Sequence, residues 1–69
     1  LMKENCTAEI KGIVTVSDIN TGEVLCTFYP DITETVEFSM NDVKNGYRNA
    51  TQQATSELIK QLIAGLANC

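Results

Sequence analysis

The sequence predicts a small α+β domain in two layers, in which an antiparallel β-hairpin and a third strand pack on one long C-terminal helix (ββ(β)α). Three observations carry that expectation. Apolar and polar residues alternate on either side of a central turn, which is the period of a strand. The turn itself, Asp18-Ile19-Asn20-Thr21-Gly22, has the residues a hairpin loop needs. From Asn41 to Ala67 the period changes: Val43, Tyr47, Ala50, Ala54, Leu58, Leu62 and Leu66 follow at steps of three or four, on one stripe of a helix. Such a helix cannot bury its stripe against itself, so the strands must cover it.

Residues 1–69 read as one domain, since a chain of this length has room for one small core. Leu1 to Thr7 is short and polar and is expected to fray. Leu1 in place of Met, with no signal-peptide pattern, fits a mature or excised piece or a residue left before Met2. Ala8 to Asp18 is the first strand. Ile10, Gly12, Val14 and Val16 share its inner face, and the β-branched run from Ile13 to Val16 supports it. Gly12 marks a bulge or a place where another element comes close. A three-residue loop, Asn20-Thr21-Gly22, with Gly22 left-handed, sets Ile19 against Glu23, Val16 against Cys26 and Val14 against Phe28. A two-residue loop would mix the apolar and polar faces. The second strand runs from Glu23 to Tyr29, and Pro30-Asp31 is expected to break it in a turn. Thr33 to Ser39 alternates again and reads as the third strand, with Val36 and Phe38 inward. Ser39 or Asn41 is expected to cap the helix, Ser39 with Asp42 in a capping box. Gly46 costs helicity and suggests a kink or a later start, while Gly65 and Asn68 suit the exit.

The totals exclude several functions. No apolar run approaches the roughly 18 residues of a membrane helix. A net charge of −4, with the five basic residues dispersed, disfavours nucleic acid and anionic lipid. The chain has no histidine, the commonest general base, so every Cys–His and Ser–His arrangement is excluded and no enzymatic activity is expected. Asp31, Glu34 and Glu37 form an acidic run without the D-x-D-x-D-G pattern of a calcium loop. No cofactor is expected.

Cys6, Cys26 and Cys69 are an odd set with no CxxC, which speaks against zinc. They allow one disulfide and one thiol, or three thiols. Cys6 with Cys69 would tie the termini together, and Cys26 reads as a small buried hydrophobe.

The hairpin, third strand and helix leave apolar residues uncovered. Ile13 and Tyr29 are opposed on the outer sheet face with Leu25 nearby, and Ile59 and Ile63 lie beside the helix stripe. A patch of that kind suggests a second layer from another protein or a second copy of the chain. The competing expectation is an acidic cytosolic inhibitor or immunity-type protein that covers a basic partner with Asp31, Glu34, Glu37 and Glu57.

The order I-V-T-V-S-D, then N-T-G-E-V-L, then A-T-Q-Q-A-T-S-E-L-I-K-Q-L-I resembles the closing hairpin and helix of small bacterial envelope lipoprotein domains. These include the LPS-assembly lipoprotein, the curli-secretion lipoprotein and the activators of penicillin-binding proteins. The resemblance runs from about Ile10 to Leu66 and implies a periplasmic or cell-envelope domain that binds other proteins and catalyses nothing. It does not extend to lipidation: Cys6 follows Lys3-Glu4-Asn5, not the small apolar residues of a lipobox.

Overall fold

The computed structural model describes residues 2–69. Strand β1 (Lys3–Lys11) pairs antiparallel with β4 (Asp31–Ser39), and β2 (Val14–Ser17) with β3 (Val24–Phe28). A 3₁₀ turn (Met40–Asp42) leads into the single helix α1 (Val43–Ala67), which packs on one face of the strands. The α+β class and the two layers agree with the sequence.

The two strand pairs are one ribbon. Lys11 lies opposite Asp31 and Val14 opposite Phe28. Stepping one residue at a time between them sets Gly12 opposite Pro30 and Ile13 opposite Tyr29, so the register does not shift across the joint. The Gly12 N–H donates to the Pro30 carbonyl at 3.2 Å. Pro30 has no N–H to return, and half of that hydrogen-bonded pair is missing. This is why the ladder is interrupted there. Pro30 is buried and does not turn the chain. The third strand accordingly adds no width: β4 continues the line of β3 and pairs with the segment ahead of β2. Cys6 to Lys11 and the residues from Lys3 onward form a nine-residue strand, so the expected frayed lead-in is paired from Lys3; Leu1 lies outside the described residues.

The hairpin loop is longer by one residue than expected. Asp18 and Glu23 close it, with the Asp18 N–H donating to the Glu23 carbonyl and the Gly22 N–H to the Asp18 carbonyl, both at 2.8 Å. The Asp18 carboxylate accepts from the Asn20 and Thr21 amides. Gly22 takes the left-handed conformation (φ 77°). Ser17 then faces Val24, and a bulge at Leu25 restores Val16 opposite Cys26. The inner register is the expected one, reached through a four-residue loop and a bulge.

Alternation decides what the helix covers. Cys6, Ala8, Ile10, Val14 and Val16 on one strand line, with Cys26, Phe28, Ile32, Val36 and Phe38 on the other, are at least half-buried, while their neighbours are exposed. Ile32 is the most buried large side chain, 2% exposed. The helix meets this face through small residues. Gly46, Ala50 and Ala54 are buried at a spacing of four, whereas Tyr47 and Leu66, expected on the stripe, are exposed. The phase of the stripe is shifted because a backbone that approaches closely needs small residues. A Cβ on Gly46 would overlap the Phe38 ring, and one on Gly65 the Phe28 ring. Gly46 therefore neither kinks nor delays the helix, and Gly65 lies within it. Tyr47 leans over Phe38, ring centroids 6.2 Å apart and tilted by 56°.

Helix and ribbon run antiparallel in step. From Gly46 over Phe38 to Gln61 at Asp31 the helix advances by about 22 Å and the strand by about 23 Å. At its entry Ser39 caps the 3₁₀ turn, its hydroxyl accepting from the Asn41 amide. The capping box is not formed: Asp42 caps without a side-chain bond to the backbone, and its carboxylate accepts from the side-chain Nδ2 of Asn45 at 2.8 Å. Asn68 closes the exit on the Ala64 carbonyl.

Candidate interaction surface

The ribbon divides into a proximal half (β1 with β4) and a distal half (β2 with β3). In the proximal half the outer face, away from the helix, is polar throughout. Thr7 and Thr35 share a hydroxyl–hydroxyl bond of 2.8 Å, Lys3 pairs with Glu37 at 3.2 Å, and Lys11 stands opposite Asp31. At the joint and beyond it the outer face gains apolar residues, set between threonines. Ile13 and Tyr29 are each 70% exposed and stand opposite each other in the register. They occupy a pair without hydrogen bonds, where side chains are closest. Leu25 is exposed in the bulge, four residues and about 13 Å along the strand from Tyr29. Thr15 and Thr27 lie between.

Ile59 and Ile63 are also exposed, together with Leu66. At 100° per residue they lie across the helix from Ala50 and Ala54, which face the sheet. The five residues expected to form an interface therefore make two patches on opposite surfaces of the two-layer molecule. Ile13, Leu25 and Tyr29 lie beneath the sheet, and Ile59 and Ile63 above the helix. Leu66 joins the upper patch although the stripe of apolar spacing predicts it to be buried. Its spacing of seven from Ile59, with Leu62 and Ile63 between, was the available signal.

The acidic residues do not converge. Glu34 and Glu57 line a shallow groove of about 260 Å³ with Gln53, Ser56 and Lys60, and Lys60 reaches Glu57 at 3.7 Å. Glu37 lies on the other side of the sheet with Lys3.

The cysteine pairing corrects the expectation. Cys26 and Cys69 form the disulfide, with Cα atoms 5.5 Å apart, and Cys6 is free. Cys6 sits far up β1, beside the start of the helix, whereas Cys69 ends the helix over the distal half. Helix length excludes joining Cys6 to Cys69: twenty-odd residues of helix span about 37 Å. The Cys26–Cys69 bridge and the Phe28–Gly65 contact hold the helix end to β3. Among the described residues no three His, Cys, Asp or Glu side chains gather as a metal site would require. Among the described residues no helix is long and apolar enough to cross a membrane.

Comparison with protein-family models, curated proteins and solved structures finds no match to this chain.

Proposed function

We propose that this chain is a non-enzymatic assembly domain of a bacterial cell-envelope protein of the lipoprotein-like type, working by contact with other protein. One observation carries the reading: the molecule has too little interior for its apolar content. Its accessible surface is 5126 Å², against about 4,300 Å² for a compact chain of its mass. Its radius of gyration is 16.5 Å, against about 11 Å. Among the described residues the buried core is Ile32, Ala50 and Ala54, with Pro30 and Gly46 buried beside them. The surplus of roughly 800 Å² matches what one partner contributes to a standard interface. The distal half concentrates the uncovered side chains, and the pair Ile13 and Tyr29 with Leu25 is the contact we assign.

A periplasmic or envelope setting is supported by the Cys26–Cys69 disulfide, since such bonds persist in oxidising compartments. The acidic-inhibitor reading gains nothing from the geometry, because Glu34 and Glu57 face a different side from Glu37.

Light scattering behind size exclusion tests the reading. Association through an apolar face persists at high salt, since screening acts on charges. Leu25→Lys removes that contact and leaves the fold, followed by far-UV circular dichroism, intact. A Leu25→Lys variant whose assemblies keep the wild-type mass, or wild-type assemblies that all dissolve in salt, sink the assignment.

A further inference from the structure

A two-stranded ribbon has two edges, and here they differ. The helix-facing pairs exchange the ladder hydrogen bonds, as Gly12 with Pro30 and Met2 with Met40 indicate. Odd-numbered residues of β1 and β4 therefore direct their N–H and C=O groups outward, along the two free edges. On β4 the Gln61 side chain takes both outward groups of Asp31: its Oε1 accepts from the Asp31 N–H at 3.3 Å, and its Nε2 donates to the Asp31 carbonyl at 3.4 Å. That strand carries Asp31, Glu34 and Glu37 and no base, so two copies of it repel. On β1 the outward groups of Asn5, Thr7 and Glu9 have no hydrogen-bond partner among the described residues, and neither do those of Thr33, Thr35 and Glu37 on β4, so charge is the main distinction between the two edges. That strand holds Lys3 and Lys11 against Glu4 and Glu9, a neutral and self-complementary set.

We infer that the β1 edge pairs antiparallel with β1 of a second copy about a two-fold axis at Cys6, which joins two ribbons into a four-stranded sheet with both helices on one face. The inference rests on the assembly reading above and adds a partner and a register to it. Charge narrows the register to two axes: an axis at Ile10 sets Glu9 opposite Lys11 twice but carries the pairing across the interruption at Gly12, whereas an axis at Cys6 keeps it within β1. With the axis at Cys6, Lys3 lies opposite Glu9 of the second copy, twice by symmetry, and Asn5 opposite Thr7. With the axis at Thr7, Lys3 would face Lys11 twice; with the axis at Ala8, no charge meets its opposite. Unpaired edge groups supply the affinity and the cross-strand charges narrow the register. The edge also explains why a strand at the surface has alternating charges of both signs yet no proline or bulge to discourage pairing. The contact is separate from the distal apolar face, and a chain with two different two-fold contacts assembles beyond the dimer.

The register puts the two Cys6 side chains in a pair without hydrogen bonds, with Cα atoms about 4.5 Å apart. They become the reporter. The full chain, with its Cys26–Cys69 bridge kept oxidised, is treated with a short bismaleimide and resolved by denaturing electrophoresis. Wild type and Leu25→Lys are both expected to give a covalent dimer that Cys6→Ser abolishes. Lys3→Glu and Glu9→Lys are each expected to raise the dissociation constant of the Leu25→Lys dimer about tenfold, and the double reversal to restore it. Failure to crosslink at Cys6, or charge reversals that change nothing, overturns the edge pairing. If Leu25→Lys alone yields a monomer, the edge falls and the apolar contact stands. If the charge reversals dismantle every assembly while Leu25→Lys changes none, the apolar contact falls and the edge stands.

Discussion

The two halves of the ribbon use the same register and opposite means of stabilisation. In the proximal half two nine-residue strands lie under the helix, and Ile32 on the sheet and Ala50 and Ala54 on the helix are buried between the layers. Its outer face is charged and hydroxylated, so water suits it. In the distal half the strands are four and five residues long, the helix ends over Phe28 and Cys26, and Ser17 to Val24 extend past its end. What holds the distal half is covalent: the Cys26–Cys69 bridge, with Phe28 packed on Gly65 beside it. The difference teaches that burial and crosslinking substitute for one another within one short chain, and that the crosslinked end keeps apolar residues free for contact. Small domains lacking core commonly resolve the shortage in this way.

The sharpest break of the comparison is Ile32→Ala against Ile13→Ala. Both remove the same atoms from the same ribbon. Ile32 is 2% exposed and Ile13 70%. Truncation at Ile32 is expected to cost about 2–5 kcal/mol of unfolding free energy. Truncation at Ile13 is expected to stay within about 0.5 kcal/mol in the monomer. Urea titrations of the two variants check this, and equal losses would mean that the distal outer face is covered after all.

Reduction of the bridge comes next. The disulfide closes a loop with a sequence separation of 43, and the chain-entropy account assigns such a loop about 4 kcal/mol, with measured bridges often giving less. The two halves should respond unequally. Amides of Val14 to Ser17 and Val24 to Phe28 are expected to lose hydrogen-exchange protection first, and those of β1 and β4 only with global unfolding. Uniform loss along the ribbon would show that the distal half has a core of its own.

How much of this was legible in the sequence follows the same division. Alternation gave the strands and their inner faces, because burial on one side of a sheet imposes period two whatever the loop does. The register survived an error in loop length, because the Leu25 bulge compensated it. Pro30 misled, since its missing N–H reads as a turn when the ribbon simply forgoes one hydrogen bond opposite Gly12. The helix phase misled at Tyr47 and Leu66, where large apolar residues were preferred for burial and the close approach of Phe38 and Phe28 demanded glycine. Spacing along the chain says nothing of which cysteine faces which, and the Cys26–Cys69 pairing emerges only once helix length is laid along the strand. Exposure of Ile13, Leu25, Tyr29, Ile59 and Ile63 was legible from their positions off the inner faces. Their separation into two surfaces was not, because it depends on which side of the helix meets the sheet.

The smallest expected effect concerns the joint between the halves. Gln61 holds both outward groups of Asp31, the residue that resumes the ladder after Pro30. Gln61→Ala is expected to cost about 0.5–1.5 kcal/mol, the net worth of a typical hydrogen bond where water can replace it. The more telling readout is local. The Asp31 amide should exchange faster in the variant while the Ile32 amide, bonded across to β1, does not change. Glu, placed at 61, keeps an acceptor for the Asp31 N–H and loses the donor for its carbonyl, so Gln61→Glu should slow that amide relative to alanine without restoring full stability. An Asp31 amide indifferent to all three residues would mean that Gln61 leaves this end of the β4 edge as open as the rest of that strand. The charge of the strands alone would then decide which edge a second copy uses.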